Sequence, residues 1–531
     1  MSFRTVREAT FDVMRRRGLD VVFANPGSTE VPFLTDFPDD LRFVLGLHEG
    51  VVVGLATGWA IGRDAPAFVL LHTTAGLGNA VGALATARVN RAPLVVVVGQ
   101  QDRRHLASEP FLTGRLTGLG GDYPVSVEQP VRAQDVPGAV SRAAHEAVTG
   151  RGPALVIVPM DDWSAAAADE PEAAPAEVVR AVGPEPAAVE RLAAFLAGAG
   201  APAIVVGAGA DDAEGWSALV ELAERLVAPV WQESFGARAG FPQDHRLFAG
   251  HLPADRTRLR ETLGPHDVVL VVGAPVFRQY PFDEGPLVNP GTRIAVVSDD
   301  PAEVHRSPAE LGVLGPVAAT CRELARLVPA REAELPPPFS RPAAPPPGES
   351  LRAAHVLAAL AERLPADAVV VEEAPTARPD LNAYVAARAP LGFLSAAMGG
   401  LGFALPAAAG VRMAQPSRPV VAVVGDGSAI FGIQALWSAA HYRIGALFVV
   451  LANGGYAVMD RLAERHGGRG PWPRVDVDVA AIARAFGCPA RRIETHDELL
   501  RELDDVLPTL ASREEPLLLE VAVEPDQTFA P

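Results

Sequence analysis

The chain contains no lysine; all 46 of its basic residues are arginine. Without a side-chain primary amine there is no Schiff base to a carbonyl substrate or to pyridoxal phosphate, and no phosphate-loop lysine for nucleoside triphosphate chemistry. A bound electrophilic cofactor becomes the more attractive source of reactivity. Cysteine is almost absent as well. Cys321 and Cys488 stand far apart with no CxxC or Cys/His ligand spacing, so two buried free thiols are expected rather than a disulfide framework or a zinc site. Basic runs are missing and the net charge is -18, which argues against a phosphate-backbone footprint and against nucleic acid as a partner. The acidity suits solubility. No apolar run approaches the roughly 20 residues of a membrane span, and the opening MSFRTVREATFDVMRRRGLD reads as an amphipathic helix stopped at Gly18. A cytoplasmic protein with no membrane partner is expected.

What is present is a long chain of 531 residues, enough for three or four domains of ordinary size. From Asp20 to about Met160, the runs DVVFA, RFVLGL, PAFVLLH, PLVVVVG and PALVIVP alternate with helical segments, the pattern of a parallel α/β sheet. A second set follows in PAIVVGAG, APVWQES, DVVLVVGAP and TRIAVVSDD, and a third unit fills the rest of the chain. An Ala/Pro/Glu-rich connector and the proline-rich LPPPFSRPAAPPPG separate them. The expected layout is 1–165, a linker 166–185, 186–334, a linker 335–350, and 351–531, with three doubly wound α/β domains on parallel sheets. GAGADD at Gly207 to Asp212 lacks the third glycine of GxGxxG, so nicotinamide binding is not expected there.

The densest chemistry lies in GDGSAIFGIQALWSAAHYRIGALFVVLANGGY, Gly425 to Tyr456. PVVAVV and ALFVVLA read as buried parallel strands, so Asp426 and Asn453 follow neighbouring strand ends, and helical spacing runs from Ala429 to Ala440. A carboxylate and an amide oxygen suit a hard cation such as Mg²⁺ that takes further oxygens from a phosphate. The glycines let diphosphate oxygens approach backbone N–H groups. GDG alone would fit an ordinary strand-turn-helix equally well; the Asn-Gly-Gly at its spacing favours the cradle.

These motifs resemble the thiamine-diphosphate-dependent enzymes. With FANPGSTE, LLHTTAGLGNA, GAPVF and AAMGGLGFALPAAAG, the resemblance narrows to the benzoylformate decarboxylase group and implies three domains that bind pyrimidine, link, and bind diphosphate. It implies Asp426, Asn453 and the Gly455 carbonyl as ligands of Mg²⁺, or of Ca²⁺ in its place. It also puts Asn25, Gly27, Gly425, Gly427, Ser428 and Tyr456 around the cofactor. Glu49 would hydrogen-bond the aminopyrimidine ring, Gly399 would offer it a carbonyl, Leu401 would hold the cofactor bent, and Thr376 would help hold it. Ser28 would bind the substrate carboxylate, and His72 would act as acid and base. The substrate pocket would draw on Phe111, Leu112, Pro375, Ser395, Val458, Met459 and Leu462.

Each assignment has a plainer counterpart: Glu49 as a dipole-stabilised helix start, Ser28 as a turn residue, His72 as a structural histidine, and the apolar residues as core. The chain also departs from the pattern. Ala452 replaces a usual asparagine, Ser395 and Leu462 replace aromatic residues, and Tyr280 replaces a second active-site histidine. A phenol titrating near 10 donates a hydrogen bond but shuttles protons poorly near neutrality, which bears on aldehyde release. The expected activity is decarboxylation of a 2-keto acid to an aldehyde and CO₂. An acetolactate synthase-type carboligase and a non-catalytic cofactor-binding protein are the alternatives. The resemblance further implies a dimer or tetramer with active sites at the dimer interface.

Overall fold

The computed structural model describes residues 4–168, 183–280, 282–348 and 350–525. Three six-stranded parallel sheets account for the apolar runs. The first is built from β1 (Val21–Asn25), β2 (Arg42–Leu45), β3 (Ala67–His72), β4 (Leu94–Gln100), β5 (Ser126–Glu128) and β6 (Pro153–Pro159) in the order β2-β1-β3-β4-β6-β5. The second comprises β7 (Pro202–Val206), β8 (Val230–Gln232), β9 (Phe248–His251), β10 (Val268–Val272), β11 (Arg293–Ser298) and β12 (Leu311–Leu314), ordered β12-β11-β10-β7-β8-β9. The third holds β13 (Val369–Glu373), β14 (Phe393–Ser395), β15 (Val420–Gly425), β16 (Leu447–Ala452), β17 (Ala490–Ile493) and β18 (Leu517–Ala522), ordered β14-β13-β15-β16-β18-β17. The first and third sheets therefore share one topology. In each, the strand order reverses direction between the first strand and the third, and open α/β sheets place ligands at such crevices, beyond the carboxyl ends of the strands.

The two related domains join through helices in equivalent positions, Glu49–Arg63 and Ala404–Ala414. Side chains here are small enough for backbone to meet backbone. A Cβ on Gly58 would collide with the Ala407 carbonyl, and one on Gly410 would collide with the Leu55 carbonyl, so each helix needs glycine at the crossing. Buried residues of both domains form one continuous apolar cluster around it.

The second sheet has the strand order of dinucleotide-binding folds. At its crevice the turn after β7 and the turn after β10 pack on each other: Gly209 N–H donates to the Gly273 carbonyl at 2.9 Å. A Cβ on Gly207 would lie 2.6 Å from the Ala274 methyl.

Helix Val6–Arg17 ends at Gly18 in the left-handed conformation, φ 68°, as its sequence suggests. The helix expected from Ala429 to Ala440 is different: it begins at Asp426 and is split into Asp426–Gly432 and Ala435–His441. The first segment ends at Gly432, which lies against the Gly402 backbone and has low helical preference. The linker expected at 166–185 falls largely outside the described residues. Residues 331–348 form no helix or strand. Both cysteines are free and buried, and burial pushes each thiol up to about 12. Among the described residues no helix is long and apolar enough to cross a membrane.

Candidate active site

In the first domain, β1 delivers Asn25 to the crevice and the turn after it delivers Ser28, Thr29 and Glu30. Glu49 opens its helix behind the N-cap His48 and is only 8% exposed. Two side-chain amides hold its carboxylate: Asn25 Nδ2 donates to Oε1 at 3.0 Å and Asn79 Nδ2 to Oε2 at 3.1 Å. One carboxylate is thus oriented by two neutral donors.

His72 closes β3, the strand next to β1. Its Nδ1 lies 2.9 Å from Glu30 Oε2 and 2.9 Å from Thr29 Oγ1. Glu30 is 1% exposed and also accepts the Gly27 N–H at 2.8 Å and the Thr29 hydroxyl. An ionised carboxylate only accepts, so the Nδ1 proton points to Glu30 and Nε2 is left to face outward. Space for this pair comes from glycine: a Cβ on Gly27 would be 2.5 Å from the His72 ring, and one on Gly99 would overlap Glu30 Oε1. Thr73, directly after the histidine, has φ 38°, a costly angle for a β-branched residue. Ser28 stands exposed at the mouth of this network.

In the third domain, Asp426 follows β15 and is buried. Oδ1 accepts the Gly427 N–H at 2.7 Å and Oδ2 the Gly454 N–H at 2.6 Å. Burial still raises its carboxyl above the usual range, against those backbone donors. Asn453 follows β16, and its Oδ1 accepts the Gly455 N–H at 3.0 Å. A cavity of about 270 Å³ opens beside them, lined by Gly425, Asp426, Gly427, Ser428, Asn453, Gly455 and Tyr456. Pro375, Thr376, Gly399, Leu401, Val458 and Met459 complete its wall. Glycine at 427 lets the Tyr456 ring come close, since a Cβ would lie 2.7 Å from it.

One chain does not unite all the expected residues. Asn25, Gly27, Ser28, Glu49 and His72 line the first-domain crevice, whereas the cavity wall comes from the third domain. Phe111 is 88% exposed and Leu112 has φ 68°, both on the first domain's surface. Tyr280 is half-exposed on a middle-domain loop. That loop reaches the cavity's edge, because Arg278 donates to the Ala397 carbonyl at 3.1 Å, just before Gly399. Ser395 is 1% exposed; it donates to Glu372 at 3.0 Å and accepts from Arg378, and it does not line the cavity. Leu462 lies on the helix Ala457–Arg465, one turn beyond the lining residues Val458 and Met459, and does not itself line the cavity.

Sequence reasoning missed Glu30, Thr29, Asn79, Gly99 and Glu373. Glu30 is the last residue of FANPGSTE, two positions after the serine. Glu373 ends β13 and accepts the N–H groups of Gly402, Phe403 and Ala404 at 2.6–2.7 Å, capping the helix that contacts the first domain. Burial pushes its carboxyl up to about 7.

Three family descriptions match along the chain: Thiamine pyrophosphate enzyme, N-terminal TPP binding domain, over residues 4–117; central domain, over 189–324; and C-terminal TPP binding domain, over 377–521. Benzoylformate decarboxylase of Pseudomonas aeruginosa is 39% identical over 535 residues, covering 99% of this chain and 100% of that protein. The chain belongs to the thiamine diphosphate enzyme family, in its benzoylformate decarboxylase group. Among solved structures, the Rhodococcus jostii RHA1 thiamine diphosphate-dependent 4-hydroxybenzoylformate decarboxylase superposes with a TM-score of 0.94 at 35% identity, covering 99% of this chain and 100% of that one. Benzoylformate decarboxylase from Polynucleobacter necessarius gives 0.94 at 34%, covering 98% and 99%.

The residues fit the family's cofactor. Asp426 is a buried carboxylate whose contacts are backbone N–H groups, so a cation beside it would relieve the burial that raises its carboxyl. The glycine-lined cavity next to it has room for phosphate oxygens, and the amide-held Glu49 presents a carboxylate suited to a ring nitrogen.

Proposed function

We propose that the protein is a cytoplasmic, Mg²⁺- and thiamine diphosphate-dependent decarboxylase that converts a 2-keto acid of the benzoylformate type to an aldehyde and CO₂. The observation that carries this is the pair of equivalent crevices, one presenting Glu49 and His72 and the other Asp426 and Asn453. When bound, thiamine diphosphate supplies an electron sink for the pair left as the bond to the carboxylate breaks. Asp426, Asn453 and the Gly455 carbonyl would hold Mg²⁺, or Ca²⁺ in its place. Glu49, fixed by Asn25 and Asn79, would hold a proton at the pyrimidine ring nitrogen. Ser28 would orient the substrate carboxylate. His72 would give and take a proton at Nε2 while Glu30 holds Nδ1. Tyr280 would donate a hydrogen bond at the cavity's edge.

Because Glu49 does not line the Asp426 cavity of its own chain, a complete site requires a second copy, and a dimer or tetramer is the working form. Exposed Leu47, Leu401 and Phe431 supply apolar surface for that contact. Two free, buried cysteines suit a reducing compartment. The close packing of the two turns at the second sheet's crevice speaks against the flavin that acetolactate synthases usually carry, and the intact Glu30–His72 pair speaks against a non-catalytic role.

The test is aldehyde release from a panel of aryl and alkyl 2-keto acids with thiamine diphosphate and Mg²⁺, alongside a mass measurement at assay concentration. Aryl substrates should turn over best, on a species of at least two chains. Acetolactate-type products in place of aldehyde would favour the carboligase, absence of product from every acid would overturn the activity, and an active monomer would overturn the shared site.

A further inference from the structure

The loop that presents Asn453 and Gly455 has little to hold it from its own strand, since Ala452 brings only a methyl group. Gly454, at the loop's centre with φ 70°, is gripped from two sides. Its N–H donates to Asp426 Oδ2 at 2.6 Å, while its carbonyl accepts the Val475 N–H at 3.0 Å. The Arg474 guanidinium approaches the same glycine through its Nη2 end: a Cβ there would be 2.5 Å from Nη2. Nη2 also donates to the Asn453 carbonyl at 3.2 Å. Residues 468–478, which supply this arginine, form no helix or strand after the turn at 466–467, and they are tied back by Trp472 Nε1 donating to Asp460 at 2.9 Å.

We propose that Arg474 is a positioning residue for the metal and diphosphate: it clamps the Asn453–Gly455 loop in the shape that presents both oxygen ligands, and it adds a positive charge beside a site that receives a polyanion. This rests on the cofactor reading given above. A guanidinium suits the task because one arm of its planar fork can donate to the backbone while the other donors stay free. The positive φ at 454 favours glycine, and the missing Cβ leaves Nη2 room beside the backbone. The side chain touches neither crevice acid, so its effect reaches the metal through the loop, in the manner of partners outside the ligand sphere.

The test follows cofactor uptake by the full-length, metal-stripped protein, titrating MgCl₂ at fixed thiamine diphosphate and reading intrinsic tryptophan fluorescence, with no turnover involved. Arg474→Ala should raise the Mg²⁺ needed for half-maximal uptake by about tenfold, the low end for a partner outside the ligand sphere because the side chain is exposed. Arg474→Lys keeps the charge without the fork and should fall between the two. The melting temperature of the metal-free protein should not change in either variant, which a merely structural role would alter. Equal Mg²⁺ dependence in wild type and Arg474→Ala overturns the proposal, as does a Mg²⁺ shift matched by loss of metal-free stability. A wild type that takes up no thiamine diphosphate at any Mg²⁺ concentration would instead overturn the cofactor reading beneath it.

Discussion

The first and third domains share a strand order and place their acids at the same kind of crevice, yet they hold those acids in different ways. In the first, Glu49 and Glu30 are met chiefly by side chains, Asn25 and Asn79 for one and His72 and Thr29 for the other, with a single backbone donor, the Gly27 N–H, on Glu30. In the third, Asp426 and Glu373 are met by backbone N–H groups, and burial raises both carboxyls. The difference separates two tasks. A site that moves protons needs its groups oriented before anything binds, so its partners are built in. A site that takes a dication needs a carboxylate with a place left open, so its partners are neutral dipoles that fix direction without supplying the countercharge.

The sharpest way to break this comparison is to remove the acid that awaits a cation. Asp426→Ala should abolish retention of thiamine diphosphate in the presence of Mg²⁺, weakening it by two orders of magnitude or more, as calorimetric titration would show. Binding at wild-type affinity would mean that the open carboxylate is not a metal ligand. The next largest effect belongs to the other half. Glu49→Gln should leave cofactor binding in place and slow hydrogen-deuterium exchange at the cofactor's C2 position by about 100-fold or more, since a neutral amide cannot stabilise a protonated ring nitrogen as a carboxylate does. Unchanged exchange would remove Glu49 from activation.

The two halves were not equally legible in the amino-acid sequence. Asp426 and Asn453 announce themselves because strand ends, glycines and the metal's oxygen preference leave a short linear motif. The long central strands were equally plain, being apolar on both faces, as in PLVVVVG. Strands β5, β9, β12, β14 and β17 escaped notice because they are only three or four residues long and all of them lie at sheet edges, where one side is not covered and no apolar run is needed. Asn79 and Gly99 escaped for another reason. Their roles depend on which helix face or strand residue comes to lie beside Glu49 and Glu30, and that is set by tertiary packing alone. The split helix at Gly432 depends likewise on contact with Gly402, a residue 30 positions away in a different element.

Glu373 allows the comparison to be tested in stability. Its carboxyl is raised from an ordinary value of 4.5 to about 7 by burial, so the folded chain holds this proton more tightly than the unfolded chain does. The neutral form is favoured in the folded state; stability is therefore fully present below about pH 4.5 and is lost as pH rises through 7. At roughly 1.4 kcal/mol per pH unit, the loss is on the order of 3 kcal/mol. In urea unfolding of the cofactor-free protein, Glu373→Gln should gain on wild type by about 2 kcal/mol between pH 5 and pH 7.5. A pH-independent difference would show that the three backbone N–H groups already compensate for burial, and that the third domain's acids resemble the first's after all.

The smallest effect separates cofactor activation from substrate handling within the first domain. Ser28 stands exposed at the mouth while Glu49 is held deep in its amide cradle, so the two should fail differently. Ser28→Ala removes one hydroxyl donor to a charged carboxylate, an interaction typically worth about 1.5 to 3 kcal/mol, or roughly 10- to 150-fold in kcat/KM for the 2-keto acid. It breaks none of the contacts that hold Glu49, so C2 exchange should proceed at the wild-type rate. Measuring exchange and steady-state decarboxylation on both variants gives a crossed pattern if the roles are distinct: exchange lost with Glu49→Gln, and substrate use weakened with Ser28→Ala while exchange is kept. Equal exchange losses in the two variants would mean that the turn carrying Ser28 shapes the whole crevice, and the serine would then have no separate role toward substrate.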